Sequence, residues 1–146
     1  MKSAERLLHL FEQAWTPKPF LNHDEYACAK AMVNNQDLQE NLPWGTIPVD
    51  EVQMTQIRHD PETVQQYAKE GKTNGGLVLR RMGENHLFDG HHRYRAAQAN
   101  GQPEYRARIF EMKDKPMSLN RLARKLKVEK EDLVHAMDTD DKRQYE

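Results

Sequence analysis

The stretch LFDGHHRYRAAQANG, residues 87 to 101, constrains the fold more than any other part of this chain. An apolar run stops at Asp89-Gly90, two histidines and an arginine follow, and an alanine-rich segment closes at Asn100-Gly101. That order reads as a strand turning sharply into a helix. A strand that feeds a helix implies an α/β arrangement, because the helix buries its apolar stripe against the sheet.

The flanking segments agree with this. TIPVDEVQM holds β-branched residues and a proline, which predicts one short edge strand. Asp60-Pro61-Glu62 has the form of an N-cap, a first-turn proline and a first-turn acid; Val64, Tyr67 and Ala68 supply an apolar face and Gly71 the stop. GGLVLRR and NHLFD, around residues 82 to 85, form a hairpin, on which Arg80 and Arg81 are expected to be solvated. YRARIFE alternates, placing Arg106 and Arg108 on one face and Tyr105, Ala107 and Ile109 on the other. The centre therefore runs strand, helix, hairpin, helix, strand.

Helical patterns lie on both sides. Ala4, Leu7, Leu8, Phe11, Ala14 and Trp15 recur at helical spacing, and Asn22 with Glu25 forms a capping box for a helix over 23 to 33. NNQDLQENLPWG reads as a polar linker. Near the end, Ser118 caps a segment with Leu119, Leu122, Ala123 and Leu126 on one face, and Leu133, Val134 and Met137 mark a further helix. The expected organisation is a helical extension over 1–45, an α/β core over 46–112, and a C-terminal helical segment over 113–146 resembling a helix-turn-helix.

Composition excludes several classes. The 22 Lys and Arg nearly balance the 23 Asp and Glu, so attraction to polyanions must come from local clusters. Cys28 stands alone, which argues against disulfides and a zinc–thiolate site. No stretch reaches the roughly 20 apolar residues needed to cross a bilayer, and the expectation is a soluble, cytoplasmic protein with no membrane partner. His9, His23 and His135 are isolated on helical segments without ligand spacing, so no transition-metal site is expected.

At the central junction the chemistry points to anions. Asp89 is positioned to cap the helix, Gly90 allows a tight turn, and the amides of Gly90, His91 and His92 are left as outward donors. With the helix dipole, Arg93 and a protonated His92, the arrangement suits a phosphate. Neither GxxxxGK[ST] nor GxGxxG is present. The alternative is that Asp89 is only a cap and the histidines are surface groups.

This segment resembles the signature of the ParB/sulfiredoxin superfamily, in which a G-x-x-R run after a strand holds nucleotide phosphates at a helix start. IPVDEVQMTQIRHDPETVQQYAKEG resembles the strand, arginine-containing loop and helix before that signature, and YRARIF the strand after it, so about half of the chain is covered. DGHHR is similar to the branch holding ParB-like nucleases and free serine kinases. The resemblance implies a small mixed sheet with helices and a nucleotide site at Gly90, His91, His92, Arg93 and Arg58. It further implies Mg²⁺ arriving with the nucleotide, and catalytic roles for Asp89, Asp60 or His92, with Glu62 as the second acid of the loop. Asp60 could equally be only the cap of its helix.

Two departures narrow the reading. Sulfiredoxins carry a catalytic cysteine where this chain has His91, and Cys28 is distant, so sulfinic acid reduction is not expected. ParB proteins carry a GERRxRA-like motif, where this chain has GHHRYRA. In the C-terminal segment, Arg121, Arg124, Lys125 and Lys127 are candidates for nucleic-acid or protein docking. Lys127 stands where the turn usually has glycine, and Glu129, Glu131 and Asp132 oppose phosphate contact, so a helical cap on the core is the competing reading. Three function classes remain. They are a Mg²⁺-dependent, ATP-like nucleotide enzyme (phosphotransferase or hydrolase), a DNA-binding or nuclease protein, and an interaction module on the same fold, of bacterial, plasmid or phage origin.

Overall fold

A computed structural model describes residues 21–54, 59–112 and 115–145, with side chains of the last helix up to residue 138. The helix expected over the first 15 residues, His9 and Arg58 lie outside the described residues.

Helix α1 (His23–Asn34) begins with the expected capping box: Glu25 N–H donates to Asn22 Oδ1 at 2.8 Å, and Asn22 N–H to Glu25 Oε1 at 3.0 Å. Of its buried positions, Glu25, Cys28, Ala29 and Met32 follow the i, i+3, i+4, i+7 stripe, and Ala31 is buried beside them. Burial pushes the Cys28 thiol up to about 12, which leaves it an inert packing group. The polar linker is in fact structured, since Gln36–Gln39 forms a 3₁₀ turn with Leu38 and Gln39 buried.

The TIPVDEVQM segment departs from expectation. It forms two strands, β1 (Trp44–Pro48) and β2 (Val52–Met54), separated by a 3₁₀ turn over Val49–Glu51. With β3 (Leu77–Arg81), β4 (Glu84–Asp89) and β5 (Glu104–Glu111) the sheet order is β1-β5-β3-β4-β2, so the two pieces occupy opposite edges. Pro48 cannot donate to a ladder, and an edge tolerates that loss. Pairing is mixed: β1–β5 and β3–β4 are antiparallel, while β2–β4 and β3–β5 are parallel. The hairpin turn is tighter than expected, only Met82-Gly83, both at positive φ (54° and 78°), which matches the twist of the flanking strands.

Helix α2 (Pro61–Glu70) has the expected Asp60 cap and a left-handed Gly71 stop. None of its residues is fully buried, because it lies against helix α3 (His91–Ala99) at the periphery rather than over the sheet. Helices α4 (Leu119–Leu126) and α5 (Lys130–Tyr145) complete the described chain, with Lys127 taking the left-handed C-cap conformation at φ 59°.

The two faces of the sheet bury separate clusters. Leu77, Leu79, Phe110 and Met112 meet α1 together with Leu122 and Leu126 of α4 and Leu133 and Met137 of α5. Val78, Tyr105, Ala107 and Ile109 meet Tyr94 and Ala97 of α3. Each buried leucine contributes about 1.5–3 kcal/mol, so the terminal helices act as a cap over one face of the sheet. Arg81 is buried and not solvated: its guanidinium forms a two-pronged pair with Glu25 Oε1 (3.1 Å) and Oε2. The strand's periodicity identifies its neighbours but not a partner 56 residues away.

Candidate functional site

The site is framed by two glycine segments in close contact. Gly75-Gly76 precedes β3 and is tied to β5, Gly75 N–H donating to the Arg106 carbonyl (2.6 Å) and Arg108 N–H to the Gly76 carbonyl (3.0 Å). Gly90 sits against it at φ 94°, and a Cβ there would lie 2.6 Å from Gly75 O and 2.8 Å from the Tyr105 hydroxyl. Both the dihedral and the space exclude a side chain. The Tyr105 hydroxyl joins the two segments, donating to the Gly75 carbonyl with the Gly90 carbonyl 3.3 Å away. Burial raises the pKa of this phenol, so it stays a donor at any ordinary pH.

Gly90, not Asp89, is the N-cap of α3, and among the described residues no side chain caps the helix. Gly90 takes a left-handed backbone at φ 94°, which suits glycine, and the helix starts one residue beyond the sequence reading. The amides without intrahelical partners are therefore those of His91, His92 and Arg93. His91 is buried; desolvation, opposed by a hydrogen bond to the Leu87 backbone and aided by nearby Arg95, brings it down to about 4, so it adds no charge at neutral pH. His92 Nε2 accepts from Asp60 N–H (3.0 Å), linking the starts of α2 and α3. Arg93 is exposed, with one nitrogen 3.4 Å from the Asn74 carbonyl.

These groups open onto a cavity of about 510 Å³. Its lining includes Asp89, Gly90, His91, His92 and Arg93, together with Gly75, Gly76, Trp44, Gln36 and Arg108. Asp89 is half-buried, and no hydrogen bond or ion pair engages its carboxylate among the described residues. Arg108 secures one wall, donating from Nη1 to the carbonyls of Gln39, Glu40 and Leu42 at 2.9, 3.1 and 3.0 Å. Of the residues singled out from sequence, the DGHHR run comes together here. The TNGG glycines, Tyr105, Trp44 and Arg108 were missed. The glycine pair before a strand was the visible signal, along with the alternation that set Arg106 and Arg108 on one face.

Asp60 and Glu62 do not line the cavity. The Asp60 oxygens accept from Glu62 N–H (3.1 Å) and the Thr63 hydroxyl (2.8 Å), and these bonds, the Thr63 one foremost, hold its pKa below the usual range. The basic residues of the C-terminal segment lie apart from it as well. Arg121, Arg124 and Lys127 are exposed, whereas Lys125 is half-buried over the Phe110 ring at 5.8 Å. Among the described residues no group of three His, Cys, Asp or Glu could hold a metal, and no helix is long and apolar enough to cross a membrane.

No family model matches the chain, and no curated protein matches it. Solved structures similar to it include sulfiredoxin from Arabidopsis thaliana, at 20% identity and TM-score 0.44, covering 49% of this chain and 88% of that one. Another is the C-terminally truncated chromosome-partitioning protein ParB from Caulobacter crescentus complexed with CTP-γ-S, at 13% identity and TM-score 0.42, covering 65% and 77%. The same ParB complexed to its centromeric parS site gives 14% identity and TM-score 0.41, covering 64% and 70%. The likeness is one of backbone arrangement, and the chain itself is α/β, a small mixed sheet with helices on both faces.

Proposed function

We propose that the cleft binds the phosphate chain of a nucleotide and that the protein acts on it by Mg²⁺-dependent phosphoryl transfer or hydrolysis. One observation carries the reading. The start of α3 has no side-chain cap among the described residues, is packed through Gly90 against Gly75 and the Tyr105 hydroxyl, and shares a cavity with the exposed Arg93 guanidinium. Backbone donors and an arginine at one place suit an anion with several oxygens.

The residues fit Mg²⁺ in the way that ion is commonly held, through substrate phosphates and one or two carboxylates rather than a protein cage. Asp89 is the carboxylate on the lining. Bound there, Mg²⁺ would neutralise charge developing on the phosphates. Asp89 then either helps hold the ion or orients the hydroxyl of water or a small alcohol, while Arg93 and the α3 amides fix the phosphates. Asp60, whose oxygens are engaged in capping, supports the site through the His92 link.

The test is a calorimetric titration of wild type and Arg93→Ala with ATP, CTP and GTP, with and without Mg²⁺. A charge-assisted hydrogen bond is worth about 1.5–3 kcal/mol, so the variant should bind roughly 10- to 150-fold more weakly with an unchanged melting temperature. Equal affinity in the two proteins would remove Arg93 from the site. If wild type binds no nucleotide, the cleft has another ligand and the interaction-module or DNA-binding reading takes its place.

A further inference from the structure

We infer that Trp44 is the platform on which a nucleobase stacks, so that the cleft takes a nucleoside phosphate in preference to an inorganic polyphosphate or a sugar phosphate. This rests on the phosphate-binding reading above and extends it to the other end of the ligand.

Three large hydrophobic side chains are exposed among the described residues, Tyr26, Trp44 and Met82, and of these only Trp44, at 45% exposure, lines the cavity. A half-exposed indole in a cleft is an apolar surface that awaits a flat partner. Its position is also fixed in advance. Trp44 lies opposite Arg108 in the β1–β5 ladder, and the Arg108 and Arg106 guanidinia stand 4.9 and 5.5 Å from its ring centroid. Both cations come from β5, the one strand beside β1, and Arg108 is itself anchored on three carbonyls. Among the described residues no strand lies beyond β1. The ring is thus held by cation–π contact with two arginines and stays half-exposed, so little freedom is lost when a base stacks on it.

The spacing suits such a ligand. From the end of β4, where Asp89 and Gly90 sit, to β1 is three inter-strand steps (β4, β3, β5, β1), about 14 Å of sheet. A phosphate alone would fill only one end of that span, whereas a phosphate chain, ribose and base would extend along it. The 510 Å³ volume falls within the roughly 300–1,000 Å³ of ordinary small-molecule sites. Gln36, exposed on the same lining, adds an amide that can both donate to and accept from a base edge.

The experiment uses the full chain with Trp15→Phe, which leaves Trp44 as the single tryptophan. Its fluorescence is followed during titration with ATP, CTP and GTP and, in parallel, with inorganic tripolyphosphate; Trp44→Phe and Trp44→Ala are titrated calorimetrically with the same ligands. Base stacking on an aromatic ring predicts quenching by nucleotides, a roughly 5- to 150-fold loss of nucleotide affinity in Trp44→Ala, and substantial rescue by Trp44→Phe. Tripolyphosphate affinity should be unchanged in both variants. Equal nucleotide affinity in wild type and Trp44→Ala overturns the stacking role while leaving the phosphate site standing, and so does an equal loss for nucleotide and tripolyphosphate, which would make Trp44 part of the wall. If neither ligand binds wild type, the phosphate site and the base platform fall together.

Discussion

Glu25 and Asp89 are both carboxylates beside a helix start, and the fold treats them oppositely. Glu25, at 1% exposure, accepts from Asn22 N–H, from both terminal nitrogens of Arg81, and from Met117 N–H at 3.2 Å. Through it α1, the hairpin and the segment leading to α4 are joined. Asp89 is half-buried at the mouth of the cleft, and among the described residues nothing donates to it. The arginines divide in the same way. Arg81 is buried and paired, while Arg93 is exposed, with a long contact to a carbonyl as its one hydrogen bond among the described residues. A charge removed from water must have its hydrogen bonds made within the protein. Charges left with free valence at a cavity, beside uncapped amides, are the ones available to a ligand.

Removing one partner of the saturated pair gives the largest expected effect. Arg81→Ala strands the Glu25 carboxylate in the core and should lower unfolding stability by about 3–5 kcal/mol. Replacing both residues by methionine should recover much of that loss, since the desolvation cost disappears with the charges. Denaturant unfolding measures both. A loss under about 1 kcal/mol in Arg81→Ala would mean that the pair is solvated like an ordinary surface bridge, and the contrast with the cleft would fail.

His91 belongs to the cleft yet is as buried as the core, and it stays neutral. Its folded pKa of about 4 lies below the ordinary 6.5, so between those values the unfolded chain binds the proton and the native protein does not. Stability therefore falls as pH drops from 6.5 towards 4, by about 3 kcal/mol at the lower limit. His91→Gln has no such proton to take up. Its stability between pH 7 and pH 4 should fall by about that much less than wild type's, whatever its starting value. Parallel slopes for the two proteins would place the His91 ring in contact with water.

The parts of this arrangement legible in the sequence are those decided within a few residues. Asn22 with Glu25, Asp60-Pro61 through Gly71, and the alternation of YRARIFE each carry their cause locally, and each forms as read. The clustering of DGHHR at a strand-to-helix junction is of the same kind. What was not legible depends on partners far along the chain. Arg81 reads as a hairpin-tip cation until Glu25 is brought to it. The α3 cap falls on Gly90 and not on Asp89, at a left-handed backbone packed against Gly75, a residue 15 positions earlier. TIPVDEVQM divides between two edges of the sheet because β5 offers one edge and β4 the other. Trp44 falls in the run NNQDLQENLPWG, which reads as a polar linker, and only the β1–β5 register places it with Arg108 on the cleft.

The smallest effect on folding is expected at Asp89, where the contrast is sharpest. Since Gly90 caps α3 and no described group donates to the Asp89 carboxylate, Asp89→Asn deletes no native hydrogen bond and should change unfolding stability by no more than about 0.5 kcal/mol. It also removes a negative charge from a cleft proposed to hold phosphates, so nucleotide affinity without Mg²⁺ should hold or rise. Turnover should move the other way. A carboxylate that orients an acceptor hydroxyl, or helps hold Mg²⁺, acts on the transferring group more than on the bound nucleotide, and its loss should slow phosphoryl transfer or hydrolysis by about 10²- to 10⁴-fold. Unfolding, a Mg²⁺-free titration and a saturating turnover assay on the one variant separate these effects. A destabilised Asp89→Asn would show that the carboxylate is a structural group like Glu25. A stable variant with unaltered turnover would leave the cleft a binding site in which Asp89 has no catalytic part.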